Sequence, residues 1–357
     1  MTHDAPLSFS SVPANDVYRA AATARQKTLT KPEGSLGRLE EIAIQLASLG
    51  HDGAAASRPA AAILFASDHP VAARGVSAYP PAVTAAMTAN FLRGGAAAAV
   101  AAARLGVPLA IVDVGVASPY EPEPCAPQIS WSRDEVADLP VGDLAVTDAL
   151  PGDALLAAVR AGRRAVAALP AETRVVLLGE MGIGNTTVAA AVAGALLEIG
   201  ADAIVGAGTG VSGDALRIKR DVVAQALARV PPGASPEAVL RAVGGRDIAA
   251  LVGAAGEAAA RGMVVLVDGF IVSAAILALV RWCPAARARL IFAHRSREQG
   301  HVAILNALDA RPLLELDLRL GEGSGAFAAL PLLDLACSLH HGMATFEEAG
   351  VPGKSPS

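Results

Sequence analysis

The sequence predicts an α/β protein built on a mostly parallel sheet flanked by helices. Three observations carry that prediction. Short apolar runs of strand length recur along the chain and end on polar or glycine residues, and helical stretches separate them. Aromatic residues make up only 3% while Ala, Val, Leu and Gly dominate, so packing must rest on close approach of small side chains between layers. With 357 residues and 53% hydrophobic content, the chain has ample material for one large core or two ordinary ones.

In chain order, residues 14–49 have amphipathic helical spacing on both sides of a break in "KPEGSLGRLEEIAIQLASLG", where Pro32 and Gly34 interrupt and Ser35 is expected to begin the second helix. The strand-length runs follow: "AAILFAS" before Asp68, "LAIVDVG" at 109–115, "RVVLLGE" ending at Glu180, "AIVGAG" at 203–208, "MVVLVDG" at 263–269 and "ARLIFAH" ending at His294. The Pro- and acid-rich stretch 117–150 reads as an excursion or lid-like loop. Run 263–280 is the most apolar, but Asp268-Gly269 interrupts it, which favours a buried strand, loop and helix over a membrane span.

Charge and cysteines narrow the function classes. A net charge of −5, a pI near 5.8 and no basic run argue against nucleic acid or an anionic membrane as main partner. Cys125, Cys283 and Cys337 are odd in number and form no CxxC pattern, which points to a reducing compartment without a disulfide or zinc framework. The N-terminus has no basic segment followed by an apolar one, so no signal peptide is expected and the location is read as cytoplasmic.

In parallel sheets ligands sit outside the carboxyl ends of the strands, and here those ends carry Asp68-His69, Glu180, Gly206 to Gly210, Asp268-Gly269 and His294 to Ser296. "GEMGIGNTT" at 179–187 is a strand end followed by an acid, glycines and a helix start, which suits an anion or a sugar; a capped turn with no ligand explains it as well. "GAGTGVSGDALRIKR" at 206–220 is a second such turn, containing Gly208 and Thr209. It has neither the Walker nor the GxGxxG spacing. Lys219 shares a helix face with Ser212 and has the reach to meet a phosphate at that turn, although a solvated surface is the commoner place for a lysine. Asp68-His69 and His294 with Ser296 invite acid–base or nucleophilic readings but lack a triad context, and Asp268 reads as a cap or loop holder. The pair His340-His341 lacks metal-ligand companions. A pyrophosphate donor of ribose calls for a metal and an acidic pair. The strand ending at Glu180 offers one acid, so a monophosphate donor without magnesium fits better.

Together "KPEGSLGRLE" (31–40), "DHPVAARGVSAYP" (68–80), "GGAAAAV" (94–100), "GEMGIGNTT" (179–187), "GAGTG" (206–210), "DGFIVSAA" (268–275) and "LRLGEGSGA" (318–326) resemble the nicotinate-nucleotide–dimethylbenzimidazole phosphoribosyltransferase family of cobalamin lower-ligand synthesis. The resemblance spans roughly residues 30–345. It implies a Rossmann-like sheet in 51–330 and a small helical domain from 1–50 plus 331–357, in a homodimer. It also implies transfer of phosphoribose from nicotinate mononucleotide to a benzimidazole base, with inversion at C1′, no cofactor and no metal. By the same resemblance Glu322 matches the general base and Glu180 the second carboxylate, which binds ribose or stabilises its positive charge. Gly182, Gly208, Thr209, Lys219 and Ser296 match the nucleotide site, and Ser77 and Met181 lie near the aromatic ring. Gly321 and Gly323 are expected to let the backbone approach a flat ring, with a helix start favouring the ionised Glu322 and burial opposing it. Ala86 stands where many members carry Gln, and Pro70 where Gly is usual, which leaves base preference open. The competing classes are a same-fold transferase for another base, a dehydrogenase, which the missing GxGxxG disfavours, and a nucleotide-binding regulatory protein.

Overall fold

In the computed structural model, which describes residues 7–122, 125–206, 210 and 212–352, the strands are β1 (Ala60–Ser67), β2 (Leu109–Gly115), β3 (Ile129–Arg133), β4 (Val175–Met181), β5 (Val264–Val267) and β6 (Leu290–Phe292). They form one six-stranded sheet in the order β3-β2-β1-β4-β5-β6, and every pairing is parallel. The order reverses between β1 and β4, where a doubly wound sheet opens its ligand crevice. Helices α1 (Asp16–Thr28) and α2 (Arg38–Leu49) precede β1, and α3 (Val83–Leu92) and α4 (Ala97–Leu105) link it to β2. Helix α5 (Ala154–Ala167) leads into β4. Between β4 and β5 run α6 (Asn185–Leu197), α7 (Ala201–Ile204), α8 (Gly213–Ala228), α9 (Pro236–Val243) and α10 (Arg246–Ala260). Helix α11 (Phe270–Trp282) joins β5 to β6, and α12 (Gln299–Ala307) and α13 (Ser324–Gly342) end the chain. Among the described residues no helix is long and apolar enough to cross a membrane.

The twofold alternation of strand side chains divides the core. Ile63 and Phe65 of β1 point into an apolar cluster with α5, α6, α10 and α11, whereas Ala62, Leu64 and Ala66 point the other way, into a cluster with α2, α3, α4 and α13. The terminal helices therefore cover one face of the sheet. Leu29 bridges to Thr345, and Gln26 bonds His340 across 2.8 Å. On the other face α5 and α10 touch backbone to backbone: a Cβ on Gly162 would fall 1.8 Å from Ala250 O, and one on Gly253 would fall 2.0 Å from Val159 O.

Three expectations are corrected. The second helix begins at Arg38, because Gly34 and Gly37 hold left-handed turns and Glu40 accepts the N–H groups of Gly34 and Leu36 while pairing with buried Lys31 at 2.8 Å. The stretch 117–150 contains the edge strand β3, pinned where Arg133 and Tyr120 both donate to the buried Asp113 carboxylate and Trp131 donates to the Tyr120 hydroxyl. The run 203–208 opens inside a helical turn, Ala201–Ile204, and residues 207–208 lie outside the described part.

Gly162→Ala and Gly253→Ala are each expected to cost about 1–3 kcal/mol by overpacking, read as a lower urea midpoint at unchanged slope. The double variant should cost less than the sum, because both changes push the same two helices apart.

Candidate active site

The site lies where the sheet predicts, at the carboxyl ends of β1, β4, β5 and β6. A cavity there is lined by Ser77, Glu180, Met181, Gly182, Asn185, Thr186, Asp268, His294, Ser296, Glu298, Arg319 and Gly321, with Phe270, Ile271 and Leu320 as apolar wall. Of the residues expected from sequence, Ser77, Glu180, Met181, Gly182 and Ser296 line this cavity. Lys219 and Glu322 stand just behind its wall. Gly208 and Thr209 lie outside the described residues.

Glu322 sits in a turn of uncommon shape. Gly321, Glu322 and Gly323 all adopt the left-handed region, with φ of 85°, 65° and 79°. Only the two glycines do so without strain. The turn leans directly on β4: a Cβ on Gly179 would fall 2.7 Å from the Glu322 carbonyl, and one on Gly321 would fall 2.4 Å from Glu180 Oε1. The glycines thus serve contacts inside the protein as well as bordering the cavity.

The Glu322 carboxyl is buried, 5% exposed, and accepts a long hydrogen bond of 3.4 Å from Ala98 N in the first turn of α4. Helix α4, rather than α13, is therefore the helix start that it meets. Burial raises its pKa, the Ala98 N–H opposes that, and the nearby Asp268 charge adds to it.

Asp268 holds the turn in place. Its Oδ1 accepts from Gly325 N at 2.6 Å and Ala326 N at 3.0 Å, so a residue at the end of β5 caps a helix 57 positions later. His294 Nε2 is 3.7 Å from the same oxygen, packed where a Cβ on Gly325 would come within 1.9 Å of the ring.

Glu180 is buried among acids. Burial first, then the charges of Asp247, Asp268 and Glu322, push its pKa well above the carboxylate range, and Asn185 donates to its Oε2. The neighbours that raise its pKa are assembled only by the fold.

Lys219 is 1% exposed, so the solvated alternative does not hold. Its Nζ donates to Thr186 Oγ1 at 2.9 Å and to Gly206 O at 3.3 Å, and burial lowers its pKa to about 8 against the pull of Glu298. Ser296 is fixed by His301, whose Nδ1 accepts from Ser296 N at 2.9 Å and whose Nε2 therefore carries the proton toward Ser273 Oγ at 3.0 Å. Burial and the charges of His294 and Arg295 lower the His301 pKa to about 3, so it stays neutral. His69 Nε2 is 3.3 Å from Asp247 Oδ2, a buried pair behind Gly182.

Sequence reasoning missed Asn185, Thr186, Glu298 and His301 as site members. For Asn185 and Thr186 the signal was the helix start in "GNTT"; for Glu298 and His301 only the packing shows it. Among the described residues no group of three or more His, Cys, Asp or Glu side chains is placed to hold a metal ion.

A doubly wound sheet with an acid-rich crevice at its strand ends and a buried lysine beside it defines an α/β protein with a small-molecule type of cavity, and comparison with known proteins narrows it. The phosphoribosyltransferase family matches residues 12–351. A nicotinate-nucleotide–dimethylbenzimidazole phosphoribosyltransferase of Bradyrhizobium sp. strain BTAi1 is 49% identical over 352 residues, 98% of each chain. One of Xanthomonas axonopodis pv. citri strain 306 is 48% identical over 334 residues, 93% of this chain and 94% of that one. The crystal structure of the Thermus thermophilus protein of the same name superposes with a TM-score of 0.87 at 41% identity, covering 95% of this chain and all of that one. The chain belongs to the nicotinate-nucleotide–dimethylbenzimidazole phosphoribosyltransferase family.

Removing the Asp268 carboxylate tests its grip. Asp268→Ala is expected to cost about 1–3 kcal/mol by leaving buried N–H groups unpaired, and Asp268→Asn to recover part of that. Burial pushes this carboxyl from 3.8 up to about 7, against the backbone N–H groups of Ala326, Gly325, Gly323 and Gly269. The folded chain keeps the proton that the unfolded chain gives up, so the group's contribution is full below 3.8 and is lost as pH rises toward about 7. Denaturant titrations over that window should therefore show Asp268→Asn gaining on the native protein as pH rises.

Proposed function

We propose that this chain transfers the phosphoribosyl group of nicotinate mononucleotide to 5,6-dimethylbenzimidazole, giving α-ribazole 5′-phosphate and nicotinate. The observation that carries the reading is Glu322: a buried carboxyl with a raised pKa, held in a left-handed turn against the strand that carries Glu180. A benzimidazole offers one bare ring nitrogen and one N–H. As the bare nitrogen bonds C1′, the N–H becomes acidic, and Glu322 takes that proton; burial makes it a stronger base than an exposed glutamate. The C1′–pyridinium bond breaks with its electron pair going to the nicotinate ring, so the leaving group needs no proton. Attack from the opposite face inverts the anomeric carbon from β to α.

Glu180, its pKa raised by burial and by neighbouring acids, enters this scheme beside the sugar, where it binds ribose or stabilises the oxocarbenium charge. Lys219, reinforced by the start of α6, takes the phosphate, Gly182, Ser296, Gly208 and Thr209 are assigned to the nucleotide, and Ser77 and Met181 to the surroundings of the aromatic ring. No cofactor enters. Ala86 is exposed on α3 and is not among the residues lining the cavity, so its replacement of Gln leaves the preferred base open. We place the enzyme in the cytoplasm as a homodimer: Leu316 and Leu320, 56% and 51% exposed on the segment bordering the cavity, give a second copy an apolar surface to cover.

Incubation with nicotinate mononucleotide and a panel of benzimidazoles, purines and phenols should release nicotinate and form an α-ribosyl product; no product from any base would sink the reading. Glu322→Gln, with its fold intact, should lower kcat by about 10²- to 10⁴-fold. Lys219 loses its proton above about pH 8, so kcat/KM for the nucleotide should fall above that pH. Lys219→Arg should remove the fall, because guanidinium stays charged.

A further inference from the structure

One buried acid in the cavity has an oxygen without a hydrogen-bond partner among the described residues. Glu298 is 7% exposed, stands at the N-cap position of α12 without capping it, and its Oε2 receives no hydrogen bond from them. A buried acceptor left open is uncommon and needs a reason. The other acids of the cavity are occupied, Glu180 by Asn185 and Asp268 by the first turn of α13.

Glu298 is also placed with care. Its backbone N donates to Ser296 Oγ at 3.3 Å, and Ser296 is itself held by His301. A Cβ on Gly206 would fall 2.5 Å from Glu298 Oε2, while the carbonyl of Gly206 accepts from Lys219. A cation and an anion therefore flank one residue at the same end of the cavity, and the lysine directs its bonds to Thr186 and Gly206.

We propose that Glu298 accepts a hydrogen bond from a ribose hydroxyl of the nucleotide, fixing the sugar between the phosphate at Lys219 and the reacting carbon. The chemistry of the ligand selects this role. With its phosphate ionised, nicotinate mononucleotide carries only two hydrogen-bond donors, the 2′ and 3′ hydroxyls. A carboxylate repels the phosphate and the nicotinate carboxylate and is attracted to the pyridinium ring, but that ring donates no N–H or O–H, so the part of the ligand that can fill an open acceptor with a hydrogen bond is the diol. Glu298 is thus a specificity residue for ribose over deoxyribose, and the inference rests on the nucleotide assigned under Proposed function.

The test is a cycle between side chain and hydroxyl. The native protein, Glu298→Gln and Glu298→Ala are each measured with nicotinate mononucleotide and its 2′-deoxy and 3′-deoxy analogues, as kcat/KM with dimethylbenzimidazole and as Kd by calorimetry without the base. In the native protein, loss of one particular hydroxyl should weaken both by about 10- to 100-fold. Glu298→Ala should show about that loss on the intact nucleotide and no further loss on the matching analogue. Glu298→Gln, which keeps an amide oxygen, should fall between. If Glu298→Ala shows the full penalty for both analogues, the hydroxyl contact is absent and the inference fails. Should Glu298→Ala not fold, the same cycle on Glu298→Gln decides it: an undiminished penalty for both analogues overturns the contact, and a smaller penalty for one supports it. A native protein that binds the nucleotide but releases no nicotinate overturns the transfer reaction alone, since the Kd cycle still decides the role of Glu298. A native protein that binds no nucleotide overturns both.

Discussion

The contact on which the site depends is the grip of Asp268 on the first turn of α13. Its carboxyl, at the end of β5, satisfies N–H groups of Gly325 and Ala326 that the helix cannot pair within itself. With that end anchored to the sheet, the preceding residues can hold three successive left-handed conformations, the middle one at a glutamate. A non-glycine residue there costs on the order of 1–3 kcal/mol, so the conformation persists only where its surroundings over-determine it. The surroundings here are Gly179 of β4 on one side and the start of α4 on the other.

This anchoring has an electrostatic consequence. Bringing the turn against β4 crowds Glu180, Asp268 and Glu322 together, with Asp247 behind them, and the cations near the cavity are few. Burial disfavours charge on each acid, and each charge that remains disfavours the next. Burial raises the pKa of all three, Glu180 well above the carboxylate range and Asp268 to about 7, and backbone N–H groups oppose the rise at each. Such a pocket suits the proposed reaction, in which the reacting carbon gains positive charge.

Strands β1, β2, β4, β5 and β6 were readable as apolar runs ending on polar or glycine residues, because a parallel sheet buried on both faces demands continuous apolar runs. The edge strand β3 escaped because only its first residue, Ile129, is buried, in a stretch rich in proline and acid. The run at 203–208 misled because a short apolar run serves a buried helical turn as well as a strand. At the site, Glu322 was readable for a local reason, an acid between glycines. Asp268 was readable as a cap or loop holder, but its partner helix, the acids that crowd Glu180 and the place of Glu298 were not, since each depends on residues brought together from far along the chain.

Close contacts of the backbone explain why glycines, more than polar side chains, mark the site in the sequence. A Cβ on Gly182 would fall 2.2 Å from Ser67 O, on Gly321 2.4 Å from Glu180 Oε1, and on Gly325 1.9 Å from the His294 ring. These contacts are made across elements, strand end to turn and helix start to loop, and the lack of a side chain lets them close. Interiors packed this tightly have two arrangements or one, but little continuous give. A turn wedged between Gly179 and α4 therefore has little freedom to shift, and its Glu322 carboxyl is held against Ala98 N. The proton-accepting role proposed for Glu322 calls for such a hold, because a base loses its use once it leaves hydrogen-bond reach of the proton it takes.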